Sequence, residues 1–206
     1  RKGKPEEDNG SNNWAVSGEK TASGYPMLAN DPHLGLKLPS IWYEVQLKAP
    51  DMNVYGVSMP GAPAVIVGFN KDVAWGVTNA GSDVMDWFEI EFKDDSYTEY
   101  LYMDEWIKSD LRVEEIFIRG GDTVLDSFAI TRFGPLVYFG ENTLENGHPT
   151  GLAMRWSAHD PSNEMMAVRN MNLATDRETF YAAIEAFESP GQNFAMIARD
   201  GDIAIR

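Results

Sequence analysis

The sequence has no cysteine in its 206 residues, which excludes disulfides, zinc–thiolate centres and thiol nucleophiles together. Histidine is scarce, with three in the chain, and neither His148 nor His159 has a partner at metal-ligand spacing. Positive charge is also short: 17 Lys and Arg against 32 Asp and Glu leave a net charge of −15. A chain of that sign cannot replace the counterions of a phosphate backbone, so no nucleic-acid partner is expected. No stretch approaches the roughly 18 consecutive apolar residues of a membrane-crossing helix. Residues 1–10 (RKGKPEEDNG) are polar throughout and have no leader-like apolar segment, which leaves the compartment open.

What remains is rich in packing material. Hydrophobic residues make up 43% and aromatics 12%, too much for a disordered acidic chain. The length suffices for one good-sized domain or for part of a larger one. Residues 1–10 read as a tail or linker, and from Asn13 the composition turns apolar. Asn13–Val16 and Pro26–Asn30 are short apolar runs separated by turn residues, as in a hairpin. Trp42–Lys48 and Asn53–Met59 alternate apolar and polar, the period of a strand with one buried face. Ala64–Phe69 is continuously apolar, which predicts a strand covered on both faces. Val73–Thr78, Asp86–Phe92, Glu114–Arg119, Ser127–Arg132 and Leu152–Ser157 continue the strand pattern. Ser162–Leu173 reads as a helix. A capping box at Thr175 and Glu178 predicts a second one, with Phe180, Ile184 and Phe187 on its buried stripe and Ser189-Pro190-Gly191 ending it. Asn193–Ile197 and Asp202–Ile205 return to strand, joined by an Asp200-Gly201 turn.

Three segments carry residue types suited to chemistry. Gly10-Ser11 lies where a polar linker meets a strand, Asn79–Asp86 combines small residues with two carboxylates, and Gln192-Asn193 places two amides after a helix. Each has a plain reading as a turn, a solvated loop or a helix end. Together they resemble the penicillin acylases, which are N-terminal nucleophile hydrolases. The resemblance is carried by Ser11-Asn12-Asn13-Trp14, Thr21-Ala22-Ser23-Gly24, Ala29-Asn30-Asp31-Pro32-His33-Leu34, Gly61-Ala62-Pro63, Gly68-Phe69-Asn70, Ala74-Trp75-Gly76-Val77-Thr78-Asn79 and Gln192-Asn193-Phe194. These segments stand in the family's order and cover residues 11 to about 200.

The resemblance implies an α+β fold, part of a four-layer α/β/β/α sandwich of mostly antiparallel sheets. It implies autocleavage between Gly10 and Ser11, with residues 1–10 as the end of a spacer peptide and 11–206 as the first part of a β chain. Partners are then the α chain and the rest of the β chain of one precursor, and the substrate is a small N-acyl amide, a β-lactam side chain or an N-acyl-homoserine lactone. Ser11 becomes the nucleophile, because a freed α-amino group with a pKa of about 7.7–8.0 can take its proton. The oxyanion is assigned to the backbone N–H of Asn79 and the side-chain amide of Asn193, and His33 tunes the terminal amine. Phe69 and Trp87, with Trp14, are candidates for the acyl pocket. Asp83, Asp86 and the carbonyl of Met85 match part of a calcium site. Ca²⁺ takes about six to eight oxygens, so it is implied for the longer parent and not expected in this piece alone; no organic cofactor is implied. The resemblance also points to a periplasmic or secreted parent. The competing reading is a catalytically silent homologue acting as a binding or cell-envelope protein. For this polypeptide with its spacer attached, the expectation is an inactive piece whose uncovered strand edges favour self-association.

Overall fold

The computed structural model describes residues 10–35, 37–144 and 146–206; positions 1–9 of the expected spacer lie outside them. In chain order the elements are β1 (Gly10–Val16), β2 (Met27–His33), β3 (Tyr43–Ala49), β4 (Met52–Ser58), β5 (Val67–Phe69), β6 (Val73–Asn79), β7 (Met85–Glu91), β8 (Glu99–Tyr102), β9 (Glu105–Lys108), β10 (Asp110–Ile116), β11 (Val124–Thr131), β12 (Gly134–Thr143), β13 (Pro149–Trp156), α1 (Glu164–Leu173), α2 (Arg177–Ile184), β14 (Gln192–Ala198) and β15 (Ile203–Ile205). The described strands pair antiparallel throughout.

Two compact units divide the chain. The first combines the described part of Arg1–Ser82 with Pro161–Arg206, and the second is Asp83–Asp160. The first unit holds a six-stranded sheet in the order β15-β14-β6-β5-β4-β3 and the separate hairpin β1-β2. Its core gathers Val54, Val65, Trp75, Met171, Phe180 and Met196, all buried. Side-chain alternation along β6 shows what covers each face of this sheet. Trp75 meets Phe180 of α2, with ring centroids 6.4 Å apart. The next residue, Gly76, points the other way: a Cβ there would lie 2.6 Å from Asn30 Cβ and 2.8 Å from Asn13 Oδ1. Helices therefore cover one face and the hairpin covers the other. Only glycine permits that close approach of hairpin to sheet.

The second unit is built on a five-stranded sheet, β10-β11-β12-β13-β7, with the hairpin β8-β9. Its smaller core centres on Ile90, Phe92, Tyr100, Ala129, Leu136 and Ala153. Tyr100 is buried there with its hydroxyl accepting from the N–H of Arg132 at 2.9 Å, so the ring is buried without an unsatisfied polar end.

Three sequence expectations are corrected. Ala64 and Val65 are buried as the apolar run requires, yet the strand begins only at Val67. The amide of Asn172 substitutes for a neighbouring strand, accepting from Val65 N–H at 2.8 Å and donating to Val65 C=O at 2.7 Å. The second helix is capped by Asp176, not Thr175: its carboxylate accepts from Thr179 N–H at 2.8 Å, and Thr179 Oγ1 accepts from Asp176 N–H at 3.2 Å. That helix also ends at Ile184, well before Ser189. Beyond it, the N–H groups of Glu188 and Ser189 are taken by the carboxylate of Glu164, at 3.2 and 3.0 Å, so the chain leaves the helical path.

Candidate active site

Ser11 is half-buried near the start of β1, and its hydroxyl donates to the carbonyl oxygen of Gly10 at 2.6 Å. The side chain thus rests on the carbonyl group of the expected cleavage junction. Across the hairpin, Ser11 is paired with Pro32 and Gly10 with His33. Alternation separates their side chains: Ser11 and Asn13 share the half-buried side, while Gly10, Asn12 and Trp14 share the exposed one. His33 lies on that exposed side, its Nε2 2.9 Å from Asp31 Oδ2 and 3.4 Å from Asn12 Nδ2.

The second component is the end of β6 beside the start of β14. Thr78 is paired with Asn193 and Asn79 with Gln192. The N–H of Ala80 donates to Gly191 C=O at 3.0 Å, which fixes the parity of the ladder. Thr78 and Asn193 form a hydrogen-bonded pair, and Asn79 and Gln192 a non-hydrogen-bonded one. The N–H of Asn79 therefore points away from β14, toward the side where β5 has already ended, since β5 reaches β6 only at Ala74 and Trp75. Val77 C=O points to the same side, where it accepts from Asn30 of the hairpin at 2.9 Å. Asn79 thus offers a backbone donor on the hairpin side that neither neighbouring strand uses. The Asn193 amide nitrogen lies 3.3 Å from Thr78 Oγ1 and 3.3 Å from Asn79 C=O, and Gln192 Nε2 donates to Asn79 Oδ1 at 2.9 Å. Gly191 allows the segment after Asn79 to pass this close, because a Cβ there would stand 2.4 Å from Ser82 Oγ.

Ser11, Thr78 and Asn79 line one cavity of about 480 Å³. Its other walls are mostly apolar and include Trp42, Met165, Val168, Phe187 and Phe194. Val168 and Met171 arrive from α1, and the rings of Phe187 and Phe194 meet edge to face at 5.1 Å. Volume and lining fall within the usual range for a small-molecule site, about 300–1,000 Å³. Glu164 lies at the edge. Burial pushes its carboxyl up, but hydrogen bonds from the Ser162 hydroxyl and the N–H groups of Ser189 and Glu188 outweigh this and hold it below its ordinary value of 4.5. It reaches the chamber as a fixed anion that braces the segment leading to Asn193.

The remaining candidates do not line this cavity. Phe69 is half exposed, its ring 5.6 Å from Tyr55, beside a separate shallow depression with Tyr25 and Arg199. Trp14 is exposed on the hairpin's outer side. Trp87 belongs to the second unit, where its ring lies 5.4 Å from Tyr138. Asp83, Met85 and Asp86 open that unit, and Asp86 stands across from Arg155 in the β7–β13 pair. Among the described residues no three acidic or histidine side chains converge. Two carboxylates and one carbonyl fall short of a calcium shell, so no chemistry is assigned to that ion. The cavity walls were the part sequence reading missed. Met165, Val168 and Met171 were legible as part of a helix and Phe187 as core, but neither reading reveals that these side chains face a void.

Comparison with known proteins places this geometry. The penicillin amidase family matches residues 2–206, and the chain belongs to that family. It is 37% identical over 128 residues to an acyl-homoserine lactone acylase of Pseudomonas aeruginosa, covering 62% of this chain and 15% of that protein. It is 33% identical over 129 residues to the penicillin acylase 2 proenzyme of a Pseudomonas species, covering 62% of this chain and 16% of that one. A thermostable penicillin G acylase from Alcaligenes faecalis superposes with a TM-score of 0.78 at 22% identity, over 94% of this chain and 34% of its own. That likeness shows the fold: part of the penicillin acylase fold, mostly antiparallel sheets with two helices. The chain spans about a sixth of the length of these two relatives.

Proposed function

We propose that the chain is the nucleophile-bearing part of a serine amidohydrolase that cleaves N-acyl amides after autoproteolysis at Gly10–Ser11. The observation that carries this reading is the position of Ser11 at an apolar cavity of about 480 Å³ whose rim also holds Asn79. In maturation the Ser11 hydroxyl attacks the Gly10 carbonyl. The C–N bond breaks as the nitrogen takes the hydroxyl proton, and water then opens the ester to leave a Gly10 carboxylate and a free Ser11 amine. The hydrogen bond between Ser11 Oγ and Gly10 C=O supports this, since it keeps the hydroxyl on the group to be attacked. In turnover the amine takes the hydroxyl proton through one water, and Oγ adds to the substrate carbonyl. The leaving amine departs with that proton, and a second water hydrolyses the acyl-serine. Asn79 N–H and the Asn193 amide stabilise the oxyanion, after Asn193 exchanges its contact with Asn79 C=O for the substrate.

The apolar walls favour an apolar acyl chain. Each buried methylene gains about 0.8 kcal/mol, so kcat/KM should rise about fourfold per carbon until the cavity is full. Relatives named as acyl-homoserine lactone acylase and penicillin acylase support an N-acyl amide as the substrate class. The test is a chain-length series of N-acyl amides on the processed parent enzyme. A rise with length followed by a ceiling supports the reading, and a preference for charged or very short acyl groups contradicts it. An uncut junction leaves Ser11 with an amide nitrogen in place of an amine, so the polypeptide carrying its spacer is inactive on this account. Its open edges, β3 and β15, are placed to pair with other chains. The parent is assigned to the periplasm or the exterior.

A further inference from the structure

We propose that Asn30 is the positioning residue that locks the nucleophile strand onto the oxyanion strand; this rests on the amidohydrolase reading above. Asn30 stands in β2 directly across from Asn13. Both N–H bonds of its amide are committed to backbone carbonyls, one on Asn12 at 3.1 Å and one on Val77 at 2.9 Å. Asn12 follows Ser11, and Val77 lies two residues before Asn79. These two carbonyls belong to different sheets, so a single nitrogen joins the hairpin to the six-stranded sheet beside the reacting groups.

The surroundings favour this role over general packing. Asn30 and Asn13 fill the space above Gly76, where a Cβ would lie 2.6 Å from Asn30 Cβ and 2.9 Å from its Cγ. Asn30 Oδ1 and both polar atoms of the Asn13 amide are buried with no protein hydrogen-bond partner among the described residues. Buried amides of this kind cost stability relative to apolar side chains of the same shape. What Asn30 provides is the two hydrogen bonds from its Nδ2, one to each strand. Ser11 and the Asn79 N–H come from separate sheets that share no ladder, so a slide of the hairpin along β6 would move nucleophile and donor apart. A misplacement of about 1 Å can lower a rate on the order of 100-fold.

The test uses the full-length protein and a chromogenic anilide of a medium-chain fatty acid. Asn30→Asp keeps size and shape but removes both donors. The expected result is a fall in kcat on the order of 100-fold with KM within about twofold of wild type, because the acyl cavity is untouched. Cleavage at Gly10–Ser11 slows in parallel, since it uses the same hydroxyl. A folded Asn30→Asp enzyme with wild-type kcat, or with its loss confined to KM, overturns the proposal. Gly76→Ala pushes the same amide from behind and carries the same expectation; it decides the matter if Asn30→Asp does not fold, and wild-type kcat there is equally contrary. Ser11→Ala separates the two claims. Activity in Ser11→Ala removes the reading of Ser11 as nucleophile, whereas an inert Ser11→Ala beside a fully active Asn30→Asp removes only the role of Asn30.

Discussion

The side-chain nitrogen of Asn193 lies 3.3 Å from the carbonyl oxygen of Asn79, across 114 positions of sequence. The antiparallel pairing of β6 with β14 creates this meeting, and it delivers a backbone donor and a side-chain donor to the same strand end. Asn193→Ala should therefore lower kcat on the order of 100- to 1,000-fold, a loss of about 3 kcal/mol of transition-state stabilisation. KM should change little, because in the proposed mechanism the amide acts on charge that develops only during reaction. Steady-state kinetics on the processed enzyme check this, and a loss confined to KM would assign Asn193 to ground-state binding instead.

Val168 projects from α1 into the wall of the cavity. Val168→Phe fills part of that space and should shift the preferred acyl chain to a shorter length, with long-chain kcat/KM falling by about fourfold for each methylene displaced. Short-chain substrates should be affected far less. The same chain-length series measured on wild type and variant gives the comparison.

Glu164 links pH to the architecture of the site. Its carboxyl is held below 4.5 in the folded chain because the hydrogen bonds from Ser162, Ser189 and Glu188 outweigh the upward push of burial. A depressed folded pKa stabilises the fold above the unfolded value, and that contribution disappears as pH falls through the folded one. Glu164→Gln should thus lower Tm at neutral pH, with the difference from wild type shrinking once the pH drops below 4.5. Thermal melts of both proteins across that range read it directly; a difference that grows in acid would contradict it.

Asn172 is a structural counterpart to the site amides. Its side chain is buried, satisfies both backbone groups of Val65 and also donates to Val168 C=O at 2.9 Å. Asn172→Ala leaves the Val65 groups buried and unpaired, which should cost about 3 kcal/mol in urea unfolding. Activity per folded molecule should stay near wild type, since Asn172 does not line the Ser11 cavity.

How much of this could be read in advance depended on the range of the interactions. β3 and β4 were legible because alternation alone puts Val45, Leu47 and Val54 on the core side. α1 was equally clear from its apolar residues. Ala64 and Val65 misled, because the backbone partner that stands in for a neighbouring strand at Val65 is an amide 107 residues away. The strands β8 and β9 were missed, since Glu99–Lys108 mixes charge with aromatics and is organised by a hairpin turn at Met103 and Asp104, both with positive φ. In the site, Ser11, Asn79 and Asn193 were recognisable as motifs, but the exposed outer position of His33 follows from hairpin alternation. Phe69 does not line the Ser11 cavity, and proximity in sequence to a motif does not report the direction of a side chain.

The most direct test of the account is the intact mass of the full-length protein with and without Ser11→Ala, read beside amide hydrolysis by the same samples. Wild type should appear as two chains, the second beginning at Ser11, and should hydrolyse the anilide. Ser11→Ala should remain uncut at that junction and be inert. An active Ser11→Ala protein, or an active wild type that keeps Gly10 joined to Ser11, would contradict the central claim.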